Sequence, residues 1–213
     1  RGRFLNGPPV PAKASFPVDD VLTAYAHLAQ AWRARFHIPV LVVAGSVGKT
    51  TTKEMLAALL GGKFQQVLKT RASQNGSIGV PMTLLELRQK HEAAVVEVGI
   101  DEPGSMRRLI EITQPTGALI TVIAQEHLEK LKDLETVAQE ELIALSSVAA
   151  RGGIVAINQD DPWVARHVPH LRGGLSGGRR IYYTFKSAPP PQGEGALWVS
   201  GSLSADGETL HLQ

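Results

Sequence analysis

Short runs of aliphatic and β-branched residues alternate along the chain with longer segments whose apolar positions recur at helical spacing. This spacing predicts helices over residues 18–36, 51–60, 78–87, 104–113 and 134–150. The apolar runs predict strands over residues 64–68, 93–99, 118–123 and 154–157, after a first strand that begins at residue 40. The alternation predicts an α/β fold: a mostly parallel sheet with helices on both faces and ligands at the carboxyl ends of its strands.

The pattern changes after residue 160. A short helix over residues 163–167 is followed by glycine-rich and proline-rich segments and by β-like stretches at 181–185, 197–203 and 209–212. Residues 205–208 have the composition of a hairpin turn between the last two stretches. We therefore expect a small antiparallel β addition near the C-terminus, within residues 180–213. At the other end, the proline-rich residues 1–17 predict a linker.

Composition excludes several classes of function. Among 213 residues, 22 basic side chains face 20 acidic ones, and the net charge of +2 gives no reason to expect a nucleic-acid or membrane partner. The absence of cysteine excludes disulfides, thiolate zinc sites and a cysteine nucleophile. Without a long apolar run or a signal-like start, we expect a cytoplasmic protein. Because the chain begins at Arg1 without a methionine, we expect a fragment of a longer protein.

The most informative stretch is Gly45-Ser46-Val47-Gly48-Lys49-Thr50-Thr51, which lies between the first strand and a helix. Glycines at this junction let the backbone approach an anion, and the helix N-terminus attracts negative charge. Lys49 is expected to reach the β- and γ-phosphates of a nucleotide, and the Thr50 hydroxyl to ligate Mg²⁺. The general phosphate-loop pattern has a glycine where this chain has Val43, so the loop is a shortened variant. The alternative is an ordinary strand-to-helix turn.

Two further residues carry candidate metal chemistry. Glu97 ends a buried apolar run, where a carboxylate is expensive without a partner. It could hold Mg²⁺ opposite Thr50, or it could simply pair with a lysine. His127 follows the strand over residues 118–123 and is a candidate ligand for a second metal, the alternative being an ordinary surface histidine.

Five segments, residues 45–51, 73–85, 97–99, 121–129 and 158–161, occur in the order and spacing of the ATPase domain of the Mur ligase family. The resemblance covers roughly residues 18–170. It implies a P-loop NTPase-like central domain over residues 18–213. An N-terminal domain that holds a UDP group and a C-terminal domain that closes over ATP would belong to the same protein, and neither is evident here.

The resemblance also implies a reaction. ATP phosphorylates a substrate carboxylate, and an amine attacks the acyl phosphate to form an amide. The stretch over residues 79–85 resembles that of ligases which add D-Ala-D-Ala to UDP-MurNAc-tripeptide in peptidoglycan synthesis. The implied cofactors are ATP and Mg²⁺, and the protein is expected to act as a monomer without membrane insertion. The chain alone is expected to be inactive.

The resemblance assigns roles residue by residue. Nucleotide binding would involve Gly45, Ser46, Val47, Gly48, Lys49, Thr50, Thr51 and Asn158, with Asn158 near the adenine. The catalytic set would be Lys49, Glu97, His127 and Glu141, and the metal ligands would be Thr50, Glu97, His127 and Glu141. Ser73 and Asn75 would face the peptide substrate.

Several family positions are not kept. The substrate loop has Ala72 and Ser73 where the family pattern has glycine and asparagine, and Val122 replaces an asparagine. Glu141 occupies the place of a lysine that becomes carbamylated near the second metal. We hypothesise that Glu141, or its neighbour Glu140, replaces the carbamate; the alternative is a solvated glutamate on a helix flank.

These departures leave two other functions open. One is another ligase of the same fold, of the folylpolyglutamate synthase or cyanophycin synthetase type. The other is a catalytically degenerate paralogue that only binds nucleotide.

Overall fold

The computed structural model describes residues 17–125, 128–170, 178–184, 196–203 and 210–212. Almost all of the predicted linker therefore lies outside the described residues, as do His127 and the hairpin turn at residues 205–208. The described part forms one eight-stranded sheet with helices packed on both of its faces.

Seven strands of the sheet are parallel, in the order β2-β3-β1-β4-β5-β6-β7, and β8 follows antiparallel at the edge. This confirms the predicted parallel α/β fold. The strands are β1 (Val40–Ala44), β2 (Val67–Lys69), β3 (Ala93–Glu97), β4 (Gly117–Ile120), β5 (Ile154–Asn158), β6 (Arg179–Thr184), β7 (Ala196–Leu203) and β8 (Leu210–Leu212).

The helices begin where the sequence offers caps or glycines. Aspartates at positions 20, 133 and 161 accept hydrogen bonds from first-turn backbone N–H groups of α1, α6 and α7, which lack acceptors within their own helices. The helices are α1 (Val21–Arg33), α2 (Lys49–Gly61), α3 (Gly79–Leu85), α4 (Ser105–Thr113), α5 (Leu128–Leu131), α6 (Leu134–Ala149) and α7 (Pro162–His167).

The central strand β1 is buried on both faces. Val42 belongs to the larger core, to which α1, α3, α4 and α6 also contribute, whereas Val43 packs with Ala57 of α2 and Val95 on the opposite face. Because successive side chains of a strand point to opposite faces, the unbroken apolar run of β1 follows from this double burial.

Parallel pairing brings several loops to one edge of the sheet. In the register of β1, Val43 lies beside Glu97 of β3, and Ala44 lies beside Ile120 of β4. The segments that follow β1, β3 and β4 therefore converge at their carboxyl ends. This is the edge at which open α/β sheets bind ligands.

The predicted antiparallel addition within residues 180–213 is not confirmed. β6 pairs in parallel with β5, and β7 pairs in parallel with β6, so both strands extend the main sheet. Only the pairing of β7 with β8, from Gly201 opposite Leu212 to Leu203 opposite Leu210, is antiparallel among the described strands. Composition alone did not distinguish parallel from antiparallel pairing for these two strands.

Candidate active site

The loop between β1 and α2 begins at Gly45, which fits against the segment after β4. Gly45 has a φ of +110°, and a β-carbon at this position would lie 2.3 Å from Thr121 Oγ1. The Thr121 hydroxyl donates to the carbonyl of Ala44 at 3.0 Å. A side chain here would therefore meet both backbone strain and a clash, which explains the glycine.

Three amides of the loop already have acceptors within the protein. Gly45 N donates to Glu141 Oε2 at 2.7 Å, while Ser46 N and Val47 N donate to the carbonyl of Val122 at 2.7 and 3.3 Å. The sequence predicted that the backbone of this loop approaches an anion. In this structure, the N–H groups best suited to an anion are those that begin α2, which have no acceptor within the helix.

Lys49 is the first residue of α2, and its buried side chain folds back over the loop. Its ammonium donates to the carbonyls of Gly45 and Ser46, the latter at 3.2 Å. The cation thus lies over the loop that precedes the helix N-terminus. Its predicted contact with phosphate remains a prediction.

Glu97 and Thr50 meet at the carboxyl edge of the sheet. The Thr50 hydroxyl donates to Glu97 Oε2 at 2.9 Å, and Asn75 Nδ2 donates to Glu97 Oε1 at 2.8 Å. The Glu97 side chain is 1% exposed. A hydroxyl and a carboxylate are hard oxygen ligands, and this donor set at the start of α2 fits Mg²⁺ if phosphate and water supply the remaining positions.

Glu97 also pairs with a lysine, as the alternative interpretation predicted. Lys53 Nζ lies 3.7 Å from Glu97 Oε2, and its side chain is fully buried. Sequence reasoning missed this residue. The available signal was its position one helical turn after Lys49, which places both side chains on the same side of α2.

Glu141 is fully buried, so the alternative of a solvated glutamate is wrong. Its carboxylate accepts from the first glycine of the phosphate loop, as described above. The side chain of Glu140 contacts a different element: its Oε1 accepts a hydrogen bond from the backbone N–H of Met106, in the first turn of α4, at 2.9 Å. Of the two candidates for replacing the carbamate, Glu141 is the one that contacts the loop.

Known proteins share the sequence pattern of this domain. Residues 43–178 match the model of the Mur ligase middle domain. The chain belongs to the Mur ligase family.

Its relatives within this family include curated UDP-N-acetylmuramoyl-tripeptide–D-alanyl-D-alanine ligases. The protein from Synechocystis is 50% identical over 115 residues, covering 54% of this chain and 25% of the relative. The protein from Haemophilus influenzae is 32% identical over 192 residues, covering 83% of this chain and 42% of the relative. The chain therefore spans between a quarter and about two fifths of these relatives.

Solved structures agree with this assignment. MurF from Acinetobacter baumannii superposes with a TM-score of 0.72 at 29% identity, covering 91% of this chain and 40% of that one. MurF ligase from Thermotoga maritima, solved in complex with ADP, gives a TM-score of 0.73 and covers 97% of this chain and 47% of that one. At 24% identity, the second likeness shows the fold alone.

In the loop before α3, one departure from the Mur ligase pattern carries backbone strain. Ala72 has a φ of +46°, in the left-handed region that favours glycine, which is the residue the family pattern has here. Lys53 donates to the carbonyl of Ala72 at 2.8 Å and helps to hold this conformation. The next residue, Ser73, places its hydroxyl 3.4 Å from that of Thr50. The predicted substrate loop thus reaches Thr50, a predicted metal ligand.

Two other predicted nucleotide residues, Asn158 and Thr51, differ in their surroundings. Asn158 is buried, and its amide nitrogen donates to the carbonyl of Thr121 at 2.7 Å. Its Oδ1 accepts from the N–H of Asp160 at 3.0 Å, so it ties the end of β5 to the end of β4. Thr51 is exposed in the first turn of α2.

Across the described ranges, no group of three or more histidine, cysteine, aspartate or glutamate side chains is arranged to hold a metal by itself. His127, which was predicted to hold a second metal, lies outside these ranges. Among the described helices, none has the length and hydrophobicity needed to cross a membrane.

The strain at Ala72 gives a stability prediction. Placing an L-residue in the left-handed region costs the folded state about 1–2 kcal/mol, which glycine would avoid. Glycine in turn stabilises the unfolded chain by roughly 0.5–1 kcal/mol through its greater conformational entropy, and this offsets part of the gain. Ala72→Gly should therefore raise the free energy of unfolding by about 0.5–1 kcal/mol in urea denaturation. Ala34→Gly is the control, because Ala34 is exposed with a φ of −61° and glycine should destabilise there. Equal effects of the two changes would contradict the assigned strain.

The contact of Glu141 gives a second prediction. Glu141→Ala leaves the buried Gly45 N–H without its acceptor and should lower the free energy of unfolding by about 2 kcal/mol. The same change should weaken nucleotide binding, measured by titration with a fluorescent ADP analogue, because it releases the phosphate loop. Glu140→Ala also removes an acceptor but should leave nucleotide affinity unchanged. Unchanged ADP affinity in Glu141→Ala would show that this carboxylate has no role in shaping the loop.

Proposed function

We propose that this chain is the nucleotide-binding part of an ATP-dependent amide ligase that adds D-Ala-D-Ala to UDP-MurNAc-tripeptide in peptidoglycan synthesis. The observation that carries the proposal is the contact of Thr50 with Glu97 at the start of a phosphate-binding helix, in a chain of the Mur ligase family. The names of its curated relatives support the choice of substrates, and the match of residues 43–178 to the middle domain of the family supports the nucleotide-binding role.

The proposed reaction has two steps. The terminal carboxylate of the tripeptide attacks the γ-phosphorus of ATP. The bond from that phosphorus to the oxygen that bridges the β- and γ-phosphates breaks, and ADP leaves with this oxygen and the electron pair. The amino group of D-Ala-D-Ala then attacks the acyl phosphate, a new amide bond forms, and inorganic phosphate leaves after the amine loses a proton. Such transfers depend on positioning and charge neutralisation more than on a protein nucleophile.

We assign the binding of phosphate, metal and substrate to different described residues. Lys49 and the N-terminus of α2 are placed to bind the phosphates, and Thr50 and Glu97 would hold Mg²⁺. When bound, this ion neutralises the charge that develops on the transferring phosphoryl group. Asn75 fixes one oxygen of Glu97 and lies in the loop that we assign to the peptide substrate, together with Ser73.

The remaining assignments complete the proposal. Asn158 contacts the adenine side of the nucleotide, and Glu141 shapes the phosphate loop through Gly45. His127 binds a second metal beside the acyl phosphate. The full-length protein carries flanking domains for the UDP group and for closure over ATP, and it acts as a monomer in the cytoplasm.

Phosphate release by the full-length protein tests the function. With ATP and Mg²⁺, release should require both UDP-MurNAc-tripeptide and D-Ala-D-Ala, because the acyl phosphate turns over only when the amine is present. Lys49→Ala should lower kcat/KM by about a hundredfold or more, since it removes charge at the transferring group. Lys63→Ala, an exposed lysine just after the same helix, is the matched control.

Three outcomes would count against the ligase. Phosphate release that ignores the two substrates would indicate another reaction, and release that requires a folate instead would indicate the folylpolyglutamate type. Nucleotide binding without turnover under any of these conditions would support the degenerate paralogue.

A further inference from the structure

Lys53 is a fully buried lysine on α2, one turn after Lys49. Its ammonium donates to the carbonyls of Thr70 and Ala72, at 2.8 Å each, and lies 3.0 Å from a carboxylate oxygen of Glu54. Lysines are rarely buried completely unless their charge and donors are matched. Three acceptors match the three ammonium protons, so this lysine is fixed in one position.

The position matters because Glu97 lies next to it. Lys53 Nζ is 3.7 Å from the same oxygen, Oε2, that accepts from Thr50. A carboxylate that is 1% exposed needs a positive partner, and the ammonium supplies one without any metal. A divalent cation held by Thr50 and Glu97 would lie close to this ammonium and be repelled by it.

We propose that Lys53 is a positioning residue that balances Glu97 when no nucleotide is bound and makes entry of the divalent cation depend on nucleotide phosphate. This inference rests on the proposed Mg²⁺ site at Thr50 and Glu97. The phosphates of ATP bring the negative charge that outweighs the repulsion from Lys53. Without them, the site is already neutral and attracts a cation poorly.

The same ammonium connects the metal site to the substrate loop. Its two carbonyl partners flank the turn that leads to Ser73 and Asn75, and Asn75 in turn holds the second oxygen of Glu97. A change in the charge balance at Glu97 therefore acts on both ends of this loop. Lys53 thus sets metal entry and loop position through one set of contacts.

The test compares Lys53→Met with Lys69→Met. Met keeps an unbranched side chain, one atom shorter than that of lysine, and removes the charge and the three donors. Lys69 is the matched control, because it pairs with the same Glu54 but is half-exposed, and no described contact joins it to Glu97. Two quantities are measured without nucleotide: Mn²⁺ affinity by electron paramagnetic resonance, and the thermal unfolding midpoint in EDTA and in excess Mg²⁺.

Lys53→Met should bind Mn²⁺ about tenfold more tightly than wild type in the absence of nucleotide, because the repulsion is gone. Its unfolding midpoint should fall in EDTA and recover partly in Mg²⁺, whereas wild type and Lys69→Met should not respond to Mg²⁺. If Lys53→Met loses the same stability with and without Mg²⁺, or if its Mn²⁺ affinity equals that of wild type, Lys53 has only a structural role and the proposal is wrong.

A second variant covers the case in which Lys53→Met does not fold. The double variant Lys53→Met with Glu97→Gln removes both buried charges, so it should fold and show no response to Mg²⁺. If the double variant also fails to fold, the charge-balancing role is wrong. The proposed site is tested separately: if Glu97→Gln binds Mn²⁺ with ATP as well as wild type does, the metal site itself is wrong.

Discussion

The carboxylate of Glu97 imposes the constraint on which the rest of the site depends. It is buried at the end of β3, and burying a charge is costly unless partners surround it. Thr50, Lys53 and Asn75 supply those partners from α2 and from the loop before α3. Satisfying one carboxylate therefore brings together the helix that we assign to phosphate binding and the loop that we assign to the substrate.

The neighbouring strands build the opposite wall of the site by a different kind of contact. In the segment after β4, the carbonyl of Val122 accepts hydrogen bonds from two loop amides, and Thr121 leaves no room for a side chain at Gly45. Glu141, in the long helix α6, accepts a hydrogen bond from the amide of Gly45. The phosphate loop is thus held from both sides by residues distant in sequence, and this preorganisation suits a reaction that depends on positioning.

The sequence predicted those features that are local. Strand β1, the loop and the start of α2 follow from a β-branched run, two glycines and a helical pattern, all within residues 40–56. Contacts that depend on tertiary structure were harder to predict. The parallel pairing of β6 with β5 and of β7 with β6 joins strands that no tight turn connects, and the burial of Lys53 depends on carbonyls that lie about twenty residues away. Counting from His127 identified Glu141, but its contact with Gly45 required the folded chain.

The position of the metal ion decides whether Thr50 and Glu97 form its site. A crystal structure of the protein with ADP and Mn²⁺, with the ion located by its anomalous scattering, would show which oxygens hold it. We expect Mn²⁺ about 2.1 Å from Thr50 Oγ1, as for Mg²⁺, with Glu97 bound directly or through one water and Lys53 still held by Thr70 and Ala72. A nucleotide-associated ion that contacts neither Thr50 nor Glu97 would contradict it.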